Sequence, residues 1–407
     1  MHALRSITPL LLVLFASVSL AAEKKRQTGP WDVARLATPP ATQWSETKDG
    51  LQQVYFAGEP YQGRPTRVFA YYARPEGDGP FPAMVLLHGG GGKAFPEWAK
   101  LWAERGYAAL AIDLAGHGPN GKRLTDGGPD QDDKTKFGAF DDAGVRDRWT
   151  YHAVADALLG HSLLASLKEV DAKRIGVTGI SWGGYLTCIV AGVDERLKVA
   201  VPVYGCGFIH QNSCWVDGYF NKMSDEQRER WVKYFDPSSY LAGVSCPTFF
   251  VNGTNDFAYP PDSYHKSYSL VDPKLRQFRI TVNMPHGHEA GWAPQEIGLF
   301  VDSVLKEGKR LGEVVSVAAK DSIDGEGILV ASFNSEVPIV SGQLHYTSEE
   351  GPWQKRAWKS LDTKLIGNDE GVTVSAVIPV LATTTYFFTA QDERGAVIST
   401  SFAGALK

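Results

Sequence analysis

Arg174-Ile175-Gly176-Val177-Thr178-Gly179-Ile180-Ser181-Trp182-Gly183-Gly184 decides the fold. The first half is a short apolar run, which reads as a buried strand. The second half is a Gly-x-Ser-x-Gly motif, which turns a strand sharply into a helix and leaves one serine exposed at the turn. Glycines are needed on both sides of Ser181, because a Cβ there would collide with the neighbouring strand and helix. A hydroxyl presented in this way is a candidate nucleophile, provided that the rest of the chain supplies its partners.

Three other stretches supply them. Upstream, Ala83-Met84-Val85-Leu86-Leu87 runs into His88-Gly89-Gly90-Gly91-Gly92, a buried strand ending in a glycine loop whose backbone N–H groups can face a developing oxyanion. Downstream, Pro247 to Gly253 reads as another buried strand, followed by a loop that carries Asp256. Further on, Arg279-Ile280-Thr281-Val282-Asn283 leads to Met284-Pro285-His286-Gly287-His288-Glu289. Serine, then aspartate, then histidine, each just past a strand, is the chain order of an α/β-hydrolase.

The surrounding pattern agrees. After an early antiparallel strand at 66–72, strands are expected at 83–88, 108–113, 174–180, 198–204, 247–252 and 277–283. Helices are expected at about 96–105, 147–168, 183–192, 262–270 and 294–307. Continuous apolar strands alternating with helices predict a mostly parallel sheet covered on both faces. Ligands bind such sheets outside the carboxyl ends of the strands, where all four stretches fall. Two insertions, 114–146 and 206–245, break the alternation, and the second is rich in aromatic residues and reads as a roof over the pocket. From Val314 onward, short strand signals at 327–333, 343–346, 372–378 and 384–389 are separated by turn residues, which predicts a small all-β sandwich. The expected divisions are a leader over 1–22, a hydrolase unit with its lead-in strap over 23–312, and the β sandwich over 313–407.

The first residues carry Arg5, an apolar core from Leu10 to Leu20, and Ser19-Leu20-Ala21, the pattern of a secretory signal peptide. The expectation is an exported chain, periplasmic or extracellular, with no stable membrane span once the leader is removed. A net charge of −5, with 41 basic and 46 acidic side chains, argues against a nucleic-acid partner. Export permits disulfides among Cys188, Cys206, Cys214 and Cys246, and Cys206 with Cys214 is the preferred pair. No Cys/His spacing suggests a metal site, and no cofactor is expected.

Residues 50 to 310 resemble the α/β-hydrolase superfamily, and within it the branch of dienelactone hydrolases, acetyl xylan esterases and prolyl-oligopeptidase-like peptidases. The resemblance rests on the Ser181 elbow, the His88 glycine loop, the Asp113-Leu114-Ala115-Gly116-His117-Gly118 run and the Gly253-x-x-Asp256 loop. Serine at 181 departs from the cysteine of dienelactone hydrolases and favours an ester hydrolase. Trp182 stands where carbohydrate-type acetyl xylan esterases have glutamine, and their Arg-Gly-Gln motif is missing, but His288-Glu289 matches their His-Glu motif. Ser181 to Tyr185 resembles the peptidase branch, although there is no room for the propeller those peptidases carry.

The resemblance implies acyl transfer through an acyl-serine. His288, one residue after Gly287, is the expected base, and His286 in the same loop is its rival. Asp256 is the expected partner of the histidine, with Asp262 as rival. The expected oxyanion donors are the N–H of Trp182 and one from Gly89 or Gly90. His88 is expected to orient its own loop and His117 to pack a loop. The substrate expected is a small-molecule or carbohydrate ester, with a polysaccharide acetyl group suggested by export and by the appended β unit. The alternatives are an exported peptidase acting on short peptides and a binding protein on a retired hydrolase scaffold. Activity should rise with pH through the histidine range, because the neutral imidazole is the base.

Overall fold

The computed structural model describes residues 26–323, 326–368, 371–379 and 383–406. The expected leader over 1–22 lies outside them.

One large sheet organises the chain. It begins with three antiparallel strands, Thr42–Trp44, Leu51–Ala57 and Arg67–Ala73. It continues through six mutually parallel strands in the spatial order Ala108–Ile112, Phe81–Leu87, Val170–Ile180, Val199–Val203, Thr248–Gly253 and Arg276–Thr281. The central strands are buried along almost their whole length, which is why they read as unbroken apolar runs. The connection from Phe81–Leu87 moves one way across the sheet, and those after Ala108–Ile112 and Val170–Ile180 move the other way. Right-handed crossovers therefore place helix Pro96–Glu104 on one face and helices Trp149–Ser166 and Trp182–Val193 on the opposite face. Nearly every residue of the Trp149–Ser166 helix and all of Trp182–Val193 are buried, so the second face is the thicker.

The C-terminal strands do form two facing sheets, but they do not stand apart from the hydrolase sheet. Val397–Ser399, Thr385–Asp392, Ile339–Thr347 and Lys359–Asp362 extend the large sheet beyond Arg276–Thr281, through the antiparallel pairing of Ser399 with Phe278. The Ile280 N–H donates to Ser399 Oγ at 2.9 Å, and the Val397 N–H donates to Glu296 Oε1 at 2.8 Å. The other sheet holds Glu313–Ile323, Glu326–Asn334, Gly371–Pro379 and Lys364–Asn368. Leu344 on one sheet and Leu329 and Val374 on the other are fully buried, and both units belong to one continuous apolar core.

The expected Cys206–Cys214 bond is not formed. All four cysteines are free, with Cys206 buried in the core and Cys214 exposed.

Both insertions take defined structure. In the second, helix Asp225–Phe235 starts with a reciprocal capping box between Ser224 and Gln227. It buries Trp231, whose Nε1–H donates to Lys136 O in the first insertion at 2.8 Å. Phe137 stacks on Tyr219 at 4.4 Å and lies 6.0 Å from Trp231, so the two insertions share one aromatic cluster. Trp215 carries that cluster to Trp182, with ring centroids 4.6 Å apart.

Candidate active site

Ser181 sits between strand Val170–Ile180 and helix Trp182–Val193 with φ 59° and ψ −117°. A non-glycine residue rarely adopts this backbone, and the strain is held by close packing on every side. A Cβ on Gly183 would run into Leu87 O, one on Gly184 into Val203 O, and one on Gly179 into Gly183 O. The glycines let the helix approach the sheet closely enough to fix the turn.

Asp256 and a histidine meet this serine, but the histidine is His286. Its Nδ1 lies 2.7 Å from Asp256 Oδ2 and its Nε2 lies 2.9 Å from Ser181 Oγ. The network places the ring proton on Nδ1, which donates to Asp256 Oδ2, and lets the serine O–H donate to Nε2. Asp256 is 2% exposed, and its other oxygen accepts the Ala258 and Tyr259 N–H groups at 2.9 and 2.8 Å. The carboxylate is thereby aimed at the ring from a fixed loop. Tyr204 stacks under the imidazole at 4.4 Å, and its O–H donates to Pro285 O at 2.7 Å. It pins both the ring and the loop carrying it, a role that nothing in the sequence signalled beyond its place at a strand end. Burial raises the Tyr204 phenol well above its usual range, so it remains a donor. The rival carboxylate, Asp262, accepts the Asn212 side-chain amide at 2.9 Å at the start of helix Pro261–Tyr268.

The expectation for His288 is therefore corrected. Its Nε2 lies 2.9 Å from the Gly89 nitrogen and accepts that N–H. The ring is wedged against Phe95 at 4.6 Å. Burial, with His88 and His286 nearby, pushes its pKa down to about 4, so it is neutral at pH 7. The physical reason for the exchange is the helical turn His288–Trp292, which starts at this residue and swings its side chain toward the glycine loop.

This contact also corrects one expected oxyanion donor. The Gly89 N–H is already committed to His288, which leaves Gly90 as the donor on the loop side. A Cβ on Gly90 would lie 3.0 Å from Trp182 Cδ1, so the loop and the residue after the serine are neighbours. The Trp182 N–H opens a helix, where no preceding turn can accept it. His88 accepts the Leu114 N–H on Nε2 at 2.9 Å and donates from Nδ1 to Gly89 O at 2.8 Å. It too is buried and held down to about 4. His117 lies 3.5 Å from Asp130, away from the serine relay.

Among the described residues, no cluster of three or more His, Cys, Asp or Glu side chains could hold a metal. No helix among them is long and apolar enough to cross a membrane.

The acetyl xylan esterase (AXE1) family model matches residues 45–245. Acetyl esterase Axe7A of Xylanibacter ruminicola is 24% identical over 53% of this chain and 52% of its own length, so the chain spans about half of that relative. An acetyl xylan esterase structure from Paenibacillus sp. R4 is 25% identical, with a TM-score of 0.53 over 63% of this chain and 87% of that one. Acetyl xylan esterase 1 from Thermoanaerobacterium sp. shares the fold at 20% identity and a TM-score of 0.53, over 69% of this chain and 96% of that one. With the sheet order, the serine turn and the glycine loop, these likenesses place the chain in the α/β-hydrolase superfamily, where its relatives lie in the branch of dienelactone hydrolases, acetyl xylan esterases and prolyl-oligopeptidase-like peptidases.

Proposed function

We propose that this chain is a serine hydrolase of carboxylic esters. The observation that carries the proposal is the continuous relay from Ser181 Oγ through His286 to Asp256, at 2.9 and 2.7 Å. A serine hydroxyl is a poor nucleophile unless a base removes its proton during attack. As Ser181 Oγ bonds to the acyl carbon, its proton passes to His286 Nε2. Asp256 stabilises the imidazolium without taking the proton itself. The negative charge moves to the former carbonyl oxygen, where the N–H groups of Trp182 and Gly90 would receive it. Each such donor contributes about 3–4 kcal/mol to the barrier reduction. His286 then returns the proton to the departing alcohol, and water repeats the sequence on the acyl-serine.

An ester is favoured over an amide by the acetyl esterases among the chain's relatives. Acetyl groups on a polysaccharide are the substrate proposed within that class. Export is proposed on the sequence of the first 22 residues alone, and the roof built from both insertions is proposed to shape the acyl side of the pocket.

The test is hydrolysis of p-nitrophenyl acetate, acetylated xylan and aminoacyl p-nitroanilides by wild type and Ser181→Ala. Ester turnover that vanishes in the variant, with covalent labelling of wild type by a fluorophosphonate, is the expected result. Anilide turnover without ester turnover would move the chain to the peptidase reading. Undiminished activity in Ser181→Ala would end the proposal.

A further inference from the structure

The glycine loop poses a mechanical problem. Residue 89 has to be glycine, because a Cβ there would lie 2.7 Å from Ile180 O and 2.9 Å from Ser181 Cβ. Glycine is also the residue least able to hold a backbone direction. The amide that must point at the oxyanion, Gly90 N–H, shares its peptide plane with Gly89 C=O. Whatever fixes the two planes around Gly89 fixes the aim of that donor.

Both planes are held. The first is anchored by the Gly89 N–H donating to His288 Nε2 at 2.9 Å. The second is anchored by Gly89 O, which accepts from His88 Nδ1 at 2.8 Å and from the Gly92 N–H at 3.1 Å. The two rings reach the same stretch of the loop. A Cβ on Gly92 would lie 2.8 Å from each of His288 Nε2 and His88 Nδ1. His288 is itself packed against an aromatic pair, with Phe95 at 4.6 Å and Trp292 at 6.4 Å.

We infer that His288 is a positioning residue of the oxyanion site: by accepting the Gly89 N–H it fixes the peptide plane that precedes the one carrying Gly90 N–H, and so restricts the turn at Gly89 through which that donor is aimed at the substrate's carbonyl oxygen. This rests on the reading of Ser181 as nucleophile. Only an unprotonated Nε2 can accept. The titratable groups near the ring are His88 from the glycine loop and His286 from its own loop, both basic, while Phe95 and Trp292 are uncharged neighbours. Together with burial they keep His288 neutral down to a pH of about 4. The acceptor is therefore present wherever His286 can work as a base.

The oxyanion forms only after substrate has bound, so losing the aim of one donor lowers kcat and leaves KM nearly unchanged. His288→Ala is expected to lose about 10²–10³-fold in kcat on p-nitrophenyl acetate, with KM within about threefold of wild type. His288→Gln presents a side-chain oxygen at similar reach and is expected to recover kcat to within about tenfold of wild type. His288→Phe fills the same space without an acceptor, and takes the place of the alanine variant if that one does not fold. It is expected to match the alanine loss while keeping the wild-type melting temperature.

Wild-type kcat in the folded alanine or phenylalanine variant would overturn the inference. So would equal losses in the phenylalanine and glutamine variants, which would mean that the acceptor is not what matters. Ser181→Ala, assayed alongside, separates the two claims. If it is dead while the His288 variants are fully active, the positioning role alone fails; if it is active, the nucleophile reading fails first.

Discussion

Two histidines lie two residues apart in one loop, and the structure divides the work between them. His286 hydrogen-bonds the serine and the aspartate, whereas His288 hydrogen-bonds a backbone amide. Their variants should differ by orders of magnitude. His286→Ala removes the base and is expected to cost about 10⁴–10⁶-fold in kcat, well beyond the loss in His288→Ala. Asp256→Asn, which leaves the imidazole without its anchor, is expected to cost about 10⁴-fold. Steady-state kinetics on one activated ester ranks all three, and a larger loss at 288 than at 286 would reverse the assignment. The loop sequence could not make this choice. Met284-Pro285-His286-Gly287-His288 has no periodicity to say which ring faces the serine. Gly287 gives no help either, because it is extended at φ 176° in open space and any residue could stand there. The deciding contacts, Tyr204 stacked under one ring and Phe95 against the other, come from residues about 80 and 190 positions away.

What was legible is what short-range pattern encodes. The parallel strands and their helices follow from apolar runs, and the serine turn follows from glycines that the packing demands, so the fold and two members of the relay could be placed from the sequence. Long-range partnerships could not. The aromatic residues of 206–245 read as a roof, but Phe137, which joins that roof to the first insertion, lies in a stretch with no apolar rhythm at all. Its ring meets Tyr219, Phe220, Trp231 and Trp182, and it is 6% exposed. Trp231 is 1% exposed and gives its indole N–H to Lys136 O. Trp231→Ala should therefore destabilise the protein by about 3–5 kcal/mol, through the cavity and the orphaned carbonyl together. Because the cluster ends on Trp182, beside the nucleophile, the same substitution should also raise KM for esters. Urea unfolding and steady-state kinetics on one preparation check both effects. Loss of stability with unchanged KM would mean that the roof is only a packing element.

Burial and sheet continuity govern the behaviour of the entire molecule. His88, His152, His288 and His345 are all held down to a pKa of about 4 by burial. Each binds its proton more readily when unfolded, so the stability it contributes is complete above about pH 6.5 and is lost as the pH falls toward 4. Asp113, raised to about 6, and Asp156, which burial raises well above the usual carboxylate range, act in the opposite sense, but there are two of them against four histidines. The urea midpoint should fall steadily from pH 7 to pH 4.5, and a flat profile would mean that these rings are not buried neutral. Sheet continuity has a different consequence. Ending the chain at residue 312 would uncover the edge of Arg276–Thr281 and remove Ile398 and Phe402 from the core that shields Phe278 and Ile280. It would also strip Tyr268 of Ser401 Oγ at 2.8 Å and of the Phe402 N–H at 3.2 Å. A long unpaired edge flanked by apolar side chains is a template for aggregation. The truncated chain is therefore expected to be insoluble, or to bind a hydrophobic dye and unfold without cooperativity. A soluble 26–312 fragment that unfolds cooperatively at the midpoint of the intact chain would show that the C-terminal strands are an attachment, not a part of the hydrolase sheet's stability.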